Sequence, residues 1–481
     1  MPPAGHPLTP RQRTQALAIL CVGVLMIVLD TTIINVALPS IREAFHFTET
    51  GLVWVVNAYL LTFGGFLLLG GRLGDLYGHR RLFLIGIAAF TAASVACGLA
   101  PTQTVLIVAR GVQGLAGAVV EAIALSLIMN LYPEDDERAK ALGVYGFVCA
   151  GGGSVGVLLG GLLTSTLSWH WIFLVNVPIG LVVLFYCMRL LPRSEGQAHC
   201  KLDVAGAVTV TVALMLAVYA IVNGGEAGWT SAATLGMLGA ALVLGVVFVA
   251  IEARAPTPLM PLRLFKLRNV ATANAVAVLW AAAMFAWFFM SALYLQLVLG
   301  YTPMQVGLAF LPSNLIMAAL SLGTSAKLVM RYGTRLPLAG GLLLAALGLL
   351  LFGLAPSNGS FALHVLPGML LLGVGAGIAF NPVLMAAMSD VAPDETGIAS
   401  GMVNTAFMMG GSVGLAVLAS VAAARTGSLQ AAGAGATAAL NGGYQLAFMV
   451  GAAFALVAVA LGLIFMRQTP AGEGATAGAL H

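Results

Sequence analysis

The chain has 481 residues, of which 60% are apolar and 8% charged, and its formal net charge is +4. Soluble domains carry roughly one quarter charged residues, so this composition excludes a soluble enzyme or a nucleic-acid-binding protein and leaves no room for a soluble domain. It describes an integral membrane protein, because a helix needs about 20 apolar residues to cross the hydrocarbon and such stretches recur along the whole chain.

In chain order, hydropathy predicts fourteen spans, at 15–38, 51–71, 82–100, 104–130, 139–164, 171–190, 203–222, 232–252, 271–298, 305–327, 337–355, 362–388, 398–424 and 443–466. The opening MPPAGHPLTPRQRTQALAIL has the basic flank and apolar run of a signal peptide. The run is long, contains Asp30 and lacks a small-residue cleavage site, so it reads as the first span. Lys and Arg concentrate on the cytoplasmic side of membrane proteins. With the N-terminus inside, Arg11, Arg13, Arg72, Arg80, Arg81, Arg138, Lys140, Arg189, Arg193, Lys201, Arg254, Arg263, Lys266, Arg268, Lys327, Arg331, Arg335 and Arg467 all fall on inner segments. Only Arg42 and Arg425 fall outside, and Arg110 lies within the fourth span. A wrong span count would scramble this segregation. Both termini are therefore expected in the cytoplasm, and the positive balance reflects orientation in the membrane.

Cys21, Cys97, Cys149 and Cys187 fall within spans and Cys200 in an inner loop, so no structural disulfide is expected. His6, His46, His79, His170, His199, His364 and His481 are scattered singly, without metal-ligand spacing, and no phosphate-binding G-x-x-x-x-G-K-[ST] loop is present. The expectation is no metal, no cofactor and no ATP hydrolysis. GGSVG, at 152–156 and again at 410–414, fits the G-x-S-x-G pattern of hydrolases, but both copies lie inside apolar helices rather than on a strand-to-helix turn.

That repetition is instead a sign of internal duplication. GRLGDLYGHRR (71–81) and AKLVMRYGTRL (326–336) align at Leu73/Leu328, Tyr77/Tyr332, Gly78/Gly333 and Arg80/Arg335, and both repeated pairs lie eight spans apart. Two six-helix halves separated by two inserted helices give that spacing, and paired halves around a midplane site are a recurring design of secondary transporters. The predicted organisation is an N-terminal bundle over 1–195, two inserted helices over 196–255, and a C-terminal bundle with a short tail over 256–481.

Several signatures together resemble the fourteen-spanner drug:proton antiporter branch of the major facilitator superfamily. LDTTIINVALP (29–39) matches its first-span signature, GRLGDLYGHRR its loop signature, RGVQGLAGA (110–118) its fourth-span signature and WHWIFLVNVPIG (169–180) the start of its sixth span. The resemblance covers nearly the whole chain. It implies an all-α membrane fold of two pseudo-symmetric six-helix bundles, alternating access, and a proton gradient in place of a cofactor. One signature departs from the pattern: Gly152, Gly156, Gly160 and Gly161 fit the fifth-span antiporter motif, but its proline is replaced by Val157.

Charges at the bilayer centre cost about 2.5–3.5 kcal/mol on insertion scales, so such residues are rare and usually functional. Asp30, Arg110 and Glu121 are the clear cases away from helix ends. At roughly 1.5 Å per residue, Asp30 lies about 12 Å and Arg110 about 9 Å from the outer ends of their spans, within reach of one another. Arg110 would favour the ionised carboxylate and burial the neutral acid, so conformation can move the proton. A permanent fold-stabilising bridge is the competing role. Arg110, Gln113, Gly117 and Glu121 share one face of the fourth span, and Glu121 would serve as a second proton site, a lure for cationic substrates, or a residue hydrated at the inner interface.

The resemblance implies that Gly71, Asp75, Gly78, Arg80 and Arg81 form a conformational latch, with Asp75 opposing the N-terminus of the span that starts near Ile398, whose dipole attracts negative charge. Asn35, Trp54, Asn57, Gln113, Trp280, Trp287, Tyr294, Asn314, Asn381, Asn404 and Met408 are candidate cavity residues, since a wide apolar pocket with few polar groups suits varied lipophilic ligands. The resulting expectation is a proton-coupled exporter of lipophilic, cationic or zwitterionic small molecules in a bacterial inner membrane, monomeric or weakly oligomeric, with no nucleic-acid partner. The sequence leaves open a periplasmic adaptor, a dedicated single-metabolite transporter or symporter, and a non-transporting sensor or scaffold.

Overall fold

The computed structural model describes residues 9–132, 134–191, 203–256, 258–392 and 395–467. Among them the regular structure is helical: α1 (Pro10–Phe45), α2 (Glu49–Tyr77), α3 (His79–Gly98), α4 (Gln103–Leu131), α5 (Asp135–Thr166), the short α6 (Trp171–Leu174) leading into α7 (Asn176–Leu190), α8 (Val204–Ala227), α9 (Ala232–Arg254), α10 (Arg268–Leu293), α11 (Pro303–Ala319), α12 (Ser325–Tyr332), α13 (Arg335–Gly353), α14 (Leu366–Met388), α15 (Thr396–Ala431) and α16 (Ala436–Phe465). Thirteen helical segments are long and apolar enough to cross a membrane. The remaining predicted span, 305–327, is helical from Pro303 to Tyr332 but is interrupted by a π-helical turn, Leu320–Thr324, between α11 and α12.

Helix starts follow local chemistry. Thr9 forms a capping box with Gln12 ahead of Pro10, and Thr48 and Thr102 accept hydrogen bonds from Gly51 N and Val105 N. Gly78, between α2 and α3, has φ +88°, and its repeat partner Gly333, between α12 and α13, has φ +73°. A side chain at either position would be strained, which explains why both copies of the loop carry glycine there.

The described residues fall into two compact units, 1–217 with 235–259 and 302–307, and 218–234 with 260–301 and 308–481. The inserted helices do not form a unit of their own. The first part of α8 and α9 belong with the first unit, where Thr211 meets Gly65 of α2 and where Leu69, Ala207 and Leu259 make a small apolar cluster. The end of α8 belongs to the second unit, where Ser420 Oγ of α15 donates to Ile221 O at 3.0 Å.

Lipid tails are as apolar as leucine, so helices in a membrane associate through close packing of small residues. In the first unit α1 packs on α5 and α2 on α4; in the second, α10 packs on α15 and α13 on α14 and α16. A Cβ at Gly152 would sit 2.9 Å from Val28 Cγ1, and one at Gly160 would sit 2.6 Å from Ile33 O. The second GGSVG repeats this use: a Cβ at Gly410 would sit 2.6 Å from Val278 Cα, and Gly414 abuts Ala282. The duplicated arginine is equally telling. Arg80 Nη2 donates to Met188 O at 2.6 Å near the end of α7, and Arg335 Nη2 donates to Leu463 O near the end of α16. In each repeat the duplicated arginine holds a carbonyl near the end of a helix, α7 in one and α16 in the other, as the helix dipole favours.

Candidate functional site

Asp30 lies in the middle of α1 and is 1% exposed, and Arg110 of α4 is equally buried. Arg110 Nη1 donates to Asp30 Oδ2 at 2.5 Å and to Gln113 Oε1 at 2.8 Å, while its Nε donates to Val55 O of α2 at 2.9 Å. Asp30 Oδ1 accepts from Gln113 Nε2 at 2.7 Å and from Asn176 Nδ2 of α7 at 3.0 Å. The same two amides donate to Ser94 Oγ of α3, at 2.9 and 3.3 Å. Cys97 Sγ donates to Gln113 Oε1 at 3.6 Å, and the Arg110 guanidinium lies 4.5 Å from the centre of the Tyr59 ring. Five helices thus converge on one charge pair, and the acid accepts three hydrogen bonds where a bare buried carboxylate would cost many kcal/mol.

The structure brings Asp30 and Arg110 together and places Gln113, a candidate cavity residue by sequence, in their network with no exposure at all. Gly117, one turn further along α4, is a contact surface: a Cβ there would sit 3.0 Å from Tyr59 Oη. Glu121 does not join this network and is half-buried further along α4. Asn176, Ser94 and Tyr59 were not singled out by the sequence. Asn176 stands inside the quoted WHWIFLVNVPIG, and a polar residue at the start of an apolar helix was the available signal.

Of the latch residues, Gly71 is loosely packed, with Ala122 Cβ 4.0 Å from where its own Cβ would be. Gly78 forms the positive-φ corner, Arg80 grips α7, and Arg81 is exposed. The side chain of Asp75 lies outside the described residues. The helix that it was expected to oppose begins at Thr396, and its capping residue Glu395 pairs with Arg263 within the second unit. The fifth-span glycines Gly152, Gly156 and Gly160 face α1, whereas Gly161 packs on the backbone of Pro303 and Met304.

The cavity candidates are dispersed. Asn35 turns back on α1, donating to Thr32 O at 3.3 Å; Asn57 is fully buried and Trp54 half-buried. In the second unit Tyr294 Oη donates to Pro356 O at 2.8 Å and Asn381 Nδ2 to Ser321 O at 2.8 Å, so both brace helices. Trp287 and Asn314 are buried, and Met408 is half-buried. Trp280 and Asn404 do meet, in a small crevice of about 20 Å³ lined also by Ala277, Phe380, Val403 and Phe407. Trp280 is 1% exposed and its indole nitrogen has no hydrogen-bond partner among the described residues. Because Gly410 meets Val278 as Gly152 meets Val28, the repeat sets Trp280 where the first unit has Asp30. The duplicated position holds a charge in one unit and an aromatic wall in the other.

Thirteen membrane-length helical segments and an interrupted fourteenth, in two repeated units of which one encloses a fully buried ion pair, define a membrane transport protein. The chain belongs to the Major Facilitator Superfamily, whose sequence profile it matches over residues 20–415. It is 38% identical over 466 residues to a cephamycin export protein of Amycolatopsis lactamdurans (95% of this chain, 94% of the other). It is also 38% identical over 475 residues to a puromycin resistance protein of Streptomyces alboniger (97% and 94%). A multidrug resistance protein of Mycobacterium tuberculosis is 39% identical over 414 residues (86% and 76%). Among solved structures, an inward-facing bacterial homologue of the lysosomal transporter Spinster superposes with TM-score 0.66 at 16% identity (96% of this chain, 98% of the other). An autoinhibited peptide transporter of the POT family gives 0.69 at 15% (96% and 98%). These two likenesses concern the fold.

Proposed function

We propose that the protein is a proton-coupled exporter of lipophilic, cationic or zwitterionic small molecules, working by alternating access in a bacterial inner membrane with both termini cytoplasmic. The names of relatives covering nearly the whole chain, a cephamycin export protein and a puromycin resistance protein, support outward movement of small molecules. The observation that carries proton coupling is the occupancy of Asp30: both carboxylate oxygens are engaged by Arg110, Gln113 and Asn176. A proton can enter only when those donors withdraw, so protonation and rearrangement of the helices are one event. One proton moving down 100 mV yields roughly 2.3 kcal/mol, which supports nearly fifty-fold accumulation at about 1.4 kcal/mol per tenfold.

The test is substrate-driven proton movement in sealed proteoliposomes with a panel of lipophilic cations and zwitterions, for the wild type and Asp30→Asn. The wild type is expected to move protons opposite to the substrate, and Asp30→Asn to abolish that movement. Equal flux in both would make Asp30 structural and turn attention to Glu121. Val157 in place of the motif proline weakens the motif's argument for antiport and leaves open a second reading, a transporter or symporter dedicated to one metabolite. Flux with one compound only would establish it.

A further inference from the structure

The second unit carries a groove that no transport role uses. Its walls are Leu328 and Tyr332 of α12, Leu336, Pro337, Leu343 and Leu344 of α13 and Ile378 of α14, and Gly340 and Gly341 form its floor; it offers about 460 Å³. The floor exists because α13 and α14 meet closely: a Cβ at Gly341 would sit 2.7 Å from Gly375 O. A Cβ at Gly340 would meet nothing within 4 Å, so this glycine faces open space. Every lining residue is uncharged, and Tyr332 and Leu336 are largely exposed although apolar or aromatic.

The helix that forms one wall of this groove, α12, also carries two cations next to the wall residues. Lys327 and Arg331 are spaced i, i+4 on α12, so they share a face beside the one formed by Leu328 and Tyr332. Both are exposed, and neither has a carboxylate partner among the described residues. The Arg331 guanidinium sits 5.2 Å from the centre of the Tyr332 ring, which holds it at the groove wall. The aligned arginine Arg335 is already committed to Leu463 O, leaving Lys327 and Arg331 as the cations available to a ligand.

We infer that this groove is a discrete binding site for an anionic glycerophospholipid, with one acyl chain lying along α13 and the phosphate held by Lys327 and Arg331. An acyl chain matches the uncharged walls, and the two cations beside one wall match an anionic headgroup at membrane depth. Basic residues near the membrane surface are attracted to anionic lipid, whereas a zwitterionic headgroup brings its own cation to the same place.

The full-length protein, delipidated in neutral detergent and mixed with equal phosphatidylglycerol and phosphatidylcholine, tests this by native mass spectrometry. The wild type is expected to retain one phosphatidylglycerol under activation that strips phosphatidylcholine. Lys327→Gln with Arg331→Gln should lower that retained fraction at least fivefold. Gly340→Phe, which fills the groove and leaves both cations in place, should lower it as much. Both variants are to be compared with the wild type at equal monodispersity and melting temperature. If Gly340→Phe retains the lipid while the double variant loses it, the cations bind a headgroup without the groove and the site is refuted. Equal retention in all three proteins, or equal retention of both lipids by the wild type, refutes it too by leaving annular lipid alone.

Discussion

Both oxygens of Asp30 already accept hydrogen bonds, so a proton added to Oδ1 points at the amides of Gln113 and Asn176, and one added to Oδ2 points at Arg110. Donor facing donor is repulsive, and the displaced guanidinium would be an uncompensated buried cation, which costs about 3–5 kcal/mol. Asn176 is the donor whose contribution is easiest to isolate, because among the described residues its side chain donates just to Asp30 and Ser94. Asn176→Leu keeps the volume and removes one bond to the carboxylate, worth about 1.5–3 kcal/mol. The expected result is a lower melting temperature in detergent, with substrate-driven proton flux weakened but measurable. A stability equal to the wild type would mean that the amide donates nothing useful to the acid. The depth of Asp30 and Arg110 was legible from the sequence by counting along two spans. Their partners were not, because Ser94 and Asn176 are single small polar residues in apolar runs and become informative only when α3 and α7 are brought to α1. Gln113 shows the same limit: its face on α4 was legible, but which neighbours that face meets is a tertiary fact.

Hydropathy located the helices themselves well, since a run able to cross the hydrocarbon must satisfy every backbone group internally. The described helices begin and end within several residues of the predicted spans. What hydropathy could not register is a change of helical pitch. The π-turns at Tyr294–Val298, Leu320–Thr324 and Phe361–Val365 leave composition untouched and alter only which carbonyl each amide meets. Packing was half legible. The spacing of Gly152, Gly156 and Gly160 marks one face, and α1 is the helix that it meets, whereas Gly153 lies at the edge of that face: a Cβ there would find Thr32 Cγ2 of α1 only at an ordinary 3.9 Å. This difference is a prediction at the level of one helix pair. Gly160→Leu forces a branched side chain into the Ile33 backbone and should abolish both monodispersity and transport. Gly153→Ala should retain wild-type melting and transport rates within about twofold, its added methyl being no larger than surface substitutions that shift stability by under 0.5 kcal/mol. Similar loss in both variants would show that the segment tolerates no bulk anywhere and that the α1 contact has no special standing.

For the molecule as a whole, duplication followed by divergence separates two kinds of chemistry. The equivalent positions Asp30 and Trp280 occupy matching places in their units, one saturated with hydrogen bonds and the other an indole whose N–H is unmatched beside a crevice. A saturated acid is suited to a gated proton, and an unmatched donor among Phe380, Phe407 and Asn404 is suited to a ligand that brings its own acceptor. The two substitutions should therefore fail differently. Trp280→Phe keeps an aromatic wall, though a smaller one, and deletes the donor, a loss of about 1 kcal/mol per ligand hydrogen bond. Transport assays across a drug panel should show an apparent affinity roughly fivefold weaker for compounds with a carbonyl or ether acceptor, little change for plain hydrocarbon cations, and unchanged proton stoichiometry. Asp30→Asn should do the reverse, leaving equilibrium binding near wild type while proton-driven flux disappears. If Trp280→Phe altered the proton stoichiometry, or if Asp30→Asn weakened binding of uncharged ligands as strongly as it weakened flux, the division of labour between the two equivalent positions would be wrong, and the buried ion pair would have to be treated as part of the ligand site.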